Sequence, residues 1–200
     1  MPEPLVFRFD FVSPYSYIAS EKIDAIAERF GRKVIWKPIL LGAIFKHLGT
    51  LPLTRQPGLH DYSTNDFARS ARFHNLPLNM PAGFPASSVA ASRAYYWLHG
   101  RDCALARRFA HGIFRCYFVD GRDIADPPVI LDVAAGLGIA AADLTAGMEN
   151  PEIKNKLREE TDAAIALGVF GAPWVTVDGE HFWGADRLPQ VERWLERGGF

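Results

Sequence analysis

The first forty residues follow a strand, helix, strand pattern. Residues 5–11 (LVFRFDF) alternate apolar and polar side chains, as a short half-buried strand does. Apolar residues then recur at helical spacing, with Ser13 suited to the N-cap, Pro14 to the first helical position and Gly31 to the end of the helix. Residues 33–37 (KVIWK) predict a second strand. A β-α-β unit of this kind implies two parallel strands.

The middle of the chain, from about Leu41 to Leu167, has a different pattern. Strand-like runs largely vanish, and Ala, Leu and Arg recur with helical periodicity between proline-rich loops. Strand patterns resume afterwards, so we expect a helical insertion within one domain. Helices are predicted within it over residues 66–74, 87–99, 104–117, 129–137 and 140–148.

The C-terminal region predicts a helix, a hairpin and a final helix. The helix spans residues 151–167, and the hairpin joins residues 174–177 to 180–183 through Asp178 and Gly179. An Asp-Gly pair between two short β runs is a strong hairpin signal. Residues 184–194 predict the last helix.

The complete order of elements predicts an α/β fold with a thioredoxin-like core. The core has a β-α-β half and an α-β-β-α half, which a large α-helical insertion separates. We therefore predict a discontinuous thioredoxin-like domain over residues 1–40 and 151–200 and an inserted helical domain over residues 41–150.

Charge and composition exclude several classes of protein. Twenty-two Lys and Arg against 23 Asp and Glu argue against a nucleic-acid binder that relies on phosphate neutralisation. No apolar run approaches the ~20 residues that cross a bilayer, and the N-terminus does not resemble a signal peptide. Two cysteines and six scattered histidines, with no CxxC or HxxxH spacing, favour neither a disulfide framework nor a metal site. The expected location is the cytoplasm.

Ser13 has two interpretations. As an N-cap, its hydroxyl oxygen accepts a hydrogen bond from the first helical turn. The same helix end carries unpaired N–H groups and partial positive charge, which favour an anion such as a thiolate. A serine hydroxyl can donate a hydrogen bond to that sulfur without being oxidised itself. Its single proton limits it to one acceptor at a time.

Two further segments allow both a structural and a ligand-binding interpretation. Ala172-Pro173 precedes a strand, where proline is tolerated at the first residue; a cis bond there would instead present the Ala172 backbone to an extended peptide. Asp186 can cap the last helix or receive a ligand's ammonium group. Trp183 can be a core residue at the end of a strand or a ligand contact.

Three separated motifs carry a resemblance to a known family. They are DFVSPYSY at residues 10–17, GVFGAP at 168–173 and FWGADRL at 182–188. With them, nearly the whole chain resembles 2-hydroxychromene-2-carboxylate isomerases, which belong to the DsbA-like branch of the thioredoxin superfamily and are related to kappa-class glutathione transferases. The resemblance implies glutathione as cofactor, a small aromatic carboxylate as substrate, and a homodimer.

The resemblance also implies roles for individual residues. Ser13 would be the catalytic residue that contacts the glutathione sulfur, and Ala172-Pro173 would pair with the cysteinyl unit. Because residues 13–16 contain no cysteine, dithiol exchange is impossible there. The remaining glutathione-binding residues would be Thr50, Trp183, Gly184, Ala185 and Asp186, with the last accepting from the γ-glutamyl ammonium. The substrate-binding residues would be Lys46, Arg55 and Phe84.

Two positions depart from the family pattern. Thr50 replaces a frequent asparagine and Leu59 a frequent lysine, which leaves the glutathione carboxylates fewer partners. The expected function is glutathione-dependent cis-trans isomerisation by reversible thiolate addition. The alternatives are a kappa-like glutathione transferase or peroxidase that acts on other electrophiles, and, in a different class, a glutathione-binding module without catalysis.

Overall fold

The computed structural model describes residues 3–200 and contains a four-stranded mixed sheet. The strands are β1 (Leu5–Phe9), β2 (Val34–Pro38), β3 (Trp174–Val177) and β4 (Glu180–Trp183), in the order β2-β1-β3-β4. β1 is parallel to β2 and antiparallel to β3, and β4 is antiparallel to β3. The sheet and its many helices confirm the predicted α/β, thioredoxin-like fold class.

The hairpin between β3 and β4 has the predicted turn. Asp178 and Gly179 both adopt positive φ, at 50° and 87°. Two such residues match the backbone twist of the flanking strands, so this turn pairs Trp174 with Trp183 and Val177 with Glu180.

The predicted single helix that ends at Gly31 is wrong, because the structure has two helices there. α1 (Pro14–Ser20) and α2 (Ile23–Arg29) are separated at Lys22, whose backbone φ and ψ of −125° and −35° are not helical. The Ser20 hydroxyl donates to the Tyr17 carbonyl at 2.7 Å and so satisfies a group that a continuing helix would use.

The five helices predicted in the middle of the chain are present with shifted ends, and a further helix, Leu41–Leu48, was not predicted. The largest shift is at the helix His60–Phe73, which begins six residues earlier than predicted. Near the C-terminus, the chain continues from Gly184 through a short 3₁₀ turn at Ala185–Arg187 before the last helix, Leu188–Arg197. The helices are α3 (Leu41–Leu48), α4 (His60–Phe73), α5 (Val89–His99), α6 (Cys103–Phe118), α7 (Pro127–Ala135), α8 (Ala141–Glu149), α9 (Pro151–Ala166) and α10 (Leu188–Arg197).

The core begins on the buried side of β1. Phe7 and Phe9 stack at 5.1 Å between ring centroids, and Phe9 contacts Trp36 of β2 and Phe114 of α6. All four side chains are buried. This packing positions the loop after β1, from which α1 starts. Among residues 3–200, no helix is both long and apolar enough to cross a membrane.

A second buried cluster positions the loop that precedes β3. Ile39, Ile44 and Ala164 pack there against Ala172 and Trp174. These contacts hold α3 and α9 beside the start of β3. The C-terminal ends of β1 and β2 and the N-terminal end of β3 therefore lie at the same end of the sheet. The division into residues 1–40 with 151–200 and residues 41–150 stays a prediction.

Candidate functional site

A cavity of about 500 Å³ opens where the loops after β1 and β2 meet the loop before β3. Its wall also includes the cavity-facing side of α3, the segment after α3 and the start of α5. The structure brings together in its lining five of the residues predicted from the sequence: Ser13, Thr50, Phe84, Ala172 and Trp183.

Ser13 caps α1 and also contacts the loop before β3. Its Oγ accepts a hydrogen bond from the Ser16 N–H at 3.1 Å and donates one to the Ala172 carbonyl at 3.0 Å. Ser13 is buried, and a hydroxyl can donate only one hydrogen bond, which here goes to the Ala172 carbonyl. A sulfur anion at this helix end would accept a hydrogen bond from Ser13 only if the O–H turned away from Ala172.

The Ala172–Pro173 bond is cis, which the sequence left open. The Pro173 carbonyl accepts a hydrogen bond from the Gly184 N–H at 3.0 Å, which ties this segment to the end of β4. Within residues 3–200, no backbone or side-chain acceptor faces the Ala172 N–H. The Ala172 N–H therefore remains available to a bound extended peptide.

Trp183 and Phe170 form one rim of the cavity. Their rings lie edge to face at 4.7 Å between centroids, and both side chains are nearly half exposed. Trp183 lies against Gly171, where an added Cβ would come within 2.4 Å of the indole Nε1. Trp183 is thus a rim residue, and the interpretation of it as a strand-end core residue is wrong.

Residues 184–186 continue the rim beyond the cavity lining. Gly184 has φ of 105°, and a Cβ there would lie 2.3 Å from the Asp186 Oδ1. Asp186 is exposed, makes no capping hydrogen bond to the 3₁₀ turn or α10, and lies 3.5 Å from Arg187. The capping interpretation of Asp186 is therefore wrong. Ala185 is buried.

The two predicted cations do not line the cavity. Lys46 follows the cavity-lining Phe45 on α3, but its side chain is exposed, as is that of Arg55 in the short 3₁₀ turn Leu53–Arg55. Phe84, by contrast, does line the cavity and contacts Phe67 at 6.1 Å between centroids. The cavity therefore contains the predicted aromatic wall without the predicted positive charge.

Asp10 is a site residue that the sequence analysis missed. It lines the cavity while only 1% exposed, and its carboxylate accepts from the Val12 N–H at 3.2 Å and the Leu41 N–H at 2.7 Å. Burial raises the pKa of Asp10, against hydrogen bonds from Ser88, Leu41 and Val12 that lower it. An acidic residue between Phe9 and Phe11 was the available signal.

Tyr15 and Asp66 form a hydrogen-bonded pair at the site that the sequence analysis also missed. Tyr15 belongs to the cavity lining, and its hydroxyl donates to the Asp66 Oδ2 at 2.5 Å. Arg69 binds the other carboxylate oxygen of Asp66. Burial and the hydrogen bond to Asp66 raise the pKa of Tyr15, and the charge of Asp186 raises it further. Tyr15 thus stays protonated at neutral pH. Asp186 lies close enough to the cavity for its charge to act on Tyr15.

The residues fit a peptide ligand better than a metal. Across residues 3–200, the structure brings together no group of three or more His, Cys, Asp and Glu side chains that could hold a metal ion. The unpaired N–H of Ala172 can donate to the backbone of a bound peptide. The helix N-terminus at Ser13 can bind an anion, and the exposed carboxylate of Asp186 can bind an ammonium group.

Comparison with known proteins gives consistent matches over nearly the whole chain. Residues 5–196 match the family described as DSBA-like thioredoxin domain. Glutathione S-transferase kappa 2 of Caenorhabditis elegans is 31% identical over 203 residues, which cover 94% of this chain and 90% of that protein. The 2-hydroxychromene-2-carboxylate isomerase of Sphingobium xenophagum is 31% identical over 198 residues, covering 98% and 99%.

The same similarity holds in three dimensions. A solved structure of a 2-hydroxychromene-2-carboxylate isomerase superposes with a TM-score of 0.86 at 26% identity, covering 96% of this chain and 94% of that one. The relatives thus include both isomerases and glutathione transferases.

Proposed function

Because the chain belongs to the DSBA-like thioredoxin domain family, we propose that it is a glutathione-dependent enzyme whose bound thiolate attacks an aromatic electrophile. The observation that carries the proposal is Ser13, a buried hydroxyl at the N-terminus of α1 beside Ala172, in an aromatic-lined cavity. Residues 13–16 contain no cysteine, so a thiolate at this helix end would come from a bound ligand. Relatives named as glutathione transferases support glutathione as its source.

Each part of glutathione has a complementary group at the site. The cysteinyl backbone would pair with the free N–H of Ala172, next to Pro173, and the sulfur would lie at Ser13. The γ-glutamyl ammonium would bind the exposed carboxylate of Asp186. Further contacts would come from Thr50, Trp183, Gly184 and Ala185.

The first candidate reaction is isomerisation by reversible addition. The thiolate adds to a conjugated carbon–carbon double bond, which becomes single and free to rotate; loss of the thiolate then restores the double bond. Ser13 would turn its O–H from Ala172 to the sulfur and stabilise the thiolate together with the helix N-terminus. Phe84 and Phe67 would orient the aromatic ring. For a 2-hydroxychromene-2-carboxylate type of substrate, Lys46 and Arg55 would have to reach the carboxylate from outside the cavity.

The second candidate is glutathione transfer of the kappa type. In this reaction the thiolate keeps its new bond to carbon and a leaving group departs. The absence of Lys and Arg from the described cavity lining favours it, because transfer requires no carboxylate on the electrophile. The similarity to the transferase of Caenorhabditis elegans is as high as that to the isomerase.

A turnover assay with and without glutathione tests the proposed function. The protein is given a benzylidenepyruvate or 1-chloro-2,4-dinitrobenzene, and loss of the enone or formation of the thioether is followed by absorbance. We expect glutathione-dependent turnover of at least one. If glutathione binds in calorimetry but neither compound nor a peroxide reacts, the protein is a binding module. If glutathione does not bind, the proposal is wrong.

A cytoplasmic location and a homodimer remain predictions. Both cysteines are free, with Cys103 exposed and Cys116 buried, which is compatible with a reducing compartment. Only the resemblance to the family suggests the dimer, and sedimentation of the purified protein measures it directly.

A further inference from the structure

The cavity beside Ser13 contains almost no charge. Among the described residues that line it, Asp10 is the only Asp, Glu, Lys, Arg or His. The rest of the lining is aliphatic, aromatic, hydroxyl or amide, and no Lys, Arg or His belongs to it. Any charge on an electrophile would therefore have to be accommodated without a side-chain counter-ion.

Asp10 occupies the helix N-terminus that could otherwise bind the anionic group of a substrate. Its carboxylate already accepts the N–H groups of Val12 and Leu41, the latter at the start of α3. The helix end that could attract an anion is thus occupied by an acid of the chain itself. A substrate carboxylate beside it would lose its hydration and gain no cationic partner.

The remaining polar groups are uncharged. Ser87 lies in the lining immediately before α5, and Thr54 and Gln56 lie in the segment after α3. The neighbouring Ser88 already hydrogen-bonds to Asp10. Hydroxyl and amide donors of this kind can bind a carbonyl or nitro oxygen without a counter-ion. Phe67 and Phe84 supply the adjoining apolar wall.

We propose that the electrophile is an uncharged aromatic compound whose polar substituent is a neutral acceptor, such as a carbonyl or nitro group. The cavity then discriminates against a carboxylate of the same shape. This inference rests on the proposed function, because it concerns the second substrate of the same thiolate. It concerns the electrophile alone and not the carboxylates of glutathione.

The chemical step is balanced for either reaction. With an enone, the sulfur bonds to the β-carbon and the π pair moves to the carbonyl oxygen; after rotation the pair returns and the carbon–sulfur bond breaks. With a chloronitroarene, the sulfur bonds to the ring carbon and chloride leaves with its bonding pair. Neither route oxidises or reduces the substrate and thiolate taken together.

Two matched pairs of electrophiles test the charge preference. They are 4-chloro-3,5-dinitrobenzamide against the corresponding benzoate, and the primary amide of trans-benzylidenepyruvate against its carboxylate. For each pair, kcat/KM is divided by the rate constant of the uncatalysed reaction with glutathione. We expect the amides to be favoured by about tenfold or more, which corresponds to ~1.4 kcal/mol of differential transition-state binding.

Leu51→Lys adds a cation to the cavity without disturbing the core, since Leu51 lines the cavity and is 52% exposed. Leu167→Lys is the matched control, because Leu167 is 40% exposed and lies outside the lining. We expect Leu51→Lys alone to raise the relative rate with the carboxylate, about tenfold.

The possible failures are distinct. Equal or better normalised rates with the carboxylates in the unmodified protein overturn the charge preference while leaving glutathione-dependent catalysis intact. An identical effect of both lysine variants also overturns it, because net charge would then explain the result. No glutathione-dependent turnover of any of the four compounds counts against the proposed function itself.

Discussion

At the scale of single residues, the Ser13 hydroxyl has two competing acceptors. The hydroxyl donates to the Ala172 carbonyl oxygen at 3.0 Å, yet a thiolate at the same helix end is a charged acceptor. Charge-assisted hydrogen bonds are roughly twice as strong as neutral ones, so the Ser13 hydroxyl should donate to the thiolate when one is bound. The cap from Ser16 N–H to Oγ is unaffected by that exchange.

Replacing Ser13 by Ala should therefore slow glutathione-dependent turnover about ten- to a hundredfold, because a charge-assisted hydrogen bond contributes ~1.5–3 kcal/mol. Ser13→Thr keeps a hydroxyl and should retain most of the rate. Ser92→Ala is the matched control, since the buried Ser92 Oγ has no partner among residues 3–200. Full turnover by Ser13→Ala would remove Ser13 from the mechanism.

Asp186→Ala should raise the glutathione concentration at half-maximal rate while leaving the maximal rate nearly unchanged. The exposed carboxylate is expected to bind the ammonium of the ligand, far from the sulfur. Steady-state kinetics with varied glutathione measure the effect. Asp162→Ala, an exposed acid on α9, controls for the change in net charge. An unchanged glutathione dependence in Asp186→Ala would exclude this residue from the site.

At the scale of elements, one hydrogen-bond network joins α1 to α4. Tyr15 of α1 donates to Asp66 of α4, and Arg69 binds the same carboxylate one helical turn later. Tyr15 and Phe67 also pack at 5.2 Å between ring centroids. The network orients the first turn of α1, from which Ser13 faces the cavity.

The network predicts a pH dependence of stability. Burial opposes ionisation of Asp66, but hydrogen bonds from Tyr15 and Arg69 outweigh it and lower the pKa of Asp66 below its ordinary value. A lowered pKa in the folded state stabilises the protein above the pKa of the unfolded chain, and this stabilisation is lost as pH falls through the folded-state value.

Asp66→Asn should therefore reduce the free energy of unfolding at pH 7. The difference from the unmodified protein should shrink steadily below about pH 4, where the unfolded carboxyl begins to bind protons. Urea unfolding from pH 7 to pH 3 measures this. Asp61→Asn, an exposed acid in the first turn of α4, is the comparison variant. A difference that does not vary with pH would show that Asp66 acts by packing alone.

At the scale of the whole molecule, the site unites the two ends of the chain with its helical middle. Ser13 contacts a carbonyl 159 positions away, and residues of α3, α4 and α5 border the same cavity. Glutathione would contact the native arrangement and not the unfolded chain, so binding should stabilise the entire fold.

Glutathione should accordingly raise the melting temperature. At a hundredfold excess over Kd the stabilisation is ~2.7 kcal/mol, or about 5–10 °C for a chain of this size. Differential scanning calorimetry measures the shift. Cysteinylglycine, which lacks the γ-glutamyl group that Asp186 is expected to bind, should give a smaller one. Equal shifts with the two peptides would contradict the assignment at Asp186.

The sequence alone predicted most of the fold. Alternation in residues 5–11, the Asp178-Gly179 turn and the periodicity of α5 to α9 are local properties, so each element could be recognised from its own residues. The break between α1 and α2 was missed because apolar spacing continues across it. The hydrogen bond from the Ser20 hydroxyl to the Tyr17 carbonyl cannot be recognised from the spacing of apolar residues.

The site was predicted only in part. Motifs identified Ser13, Ala172 and Trp183, because each lies in a short segment with a recognisable pattern. The Tyr15–Asp66 bond joins residues 51 positions apart, and no local pattern reveals such a partner.

The charge of the cavity was decided by tertiary structure alone. Asp10 is directed inward where β1 ends, whereas Lys46 remains exposed on α3 beside the inward-facing Phe45. Residue types and their order are written in the sequence. Which side chains share a cavity depends on how helices rotate and pack against the sheet, and that choice follows from burial summed over the whole core.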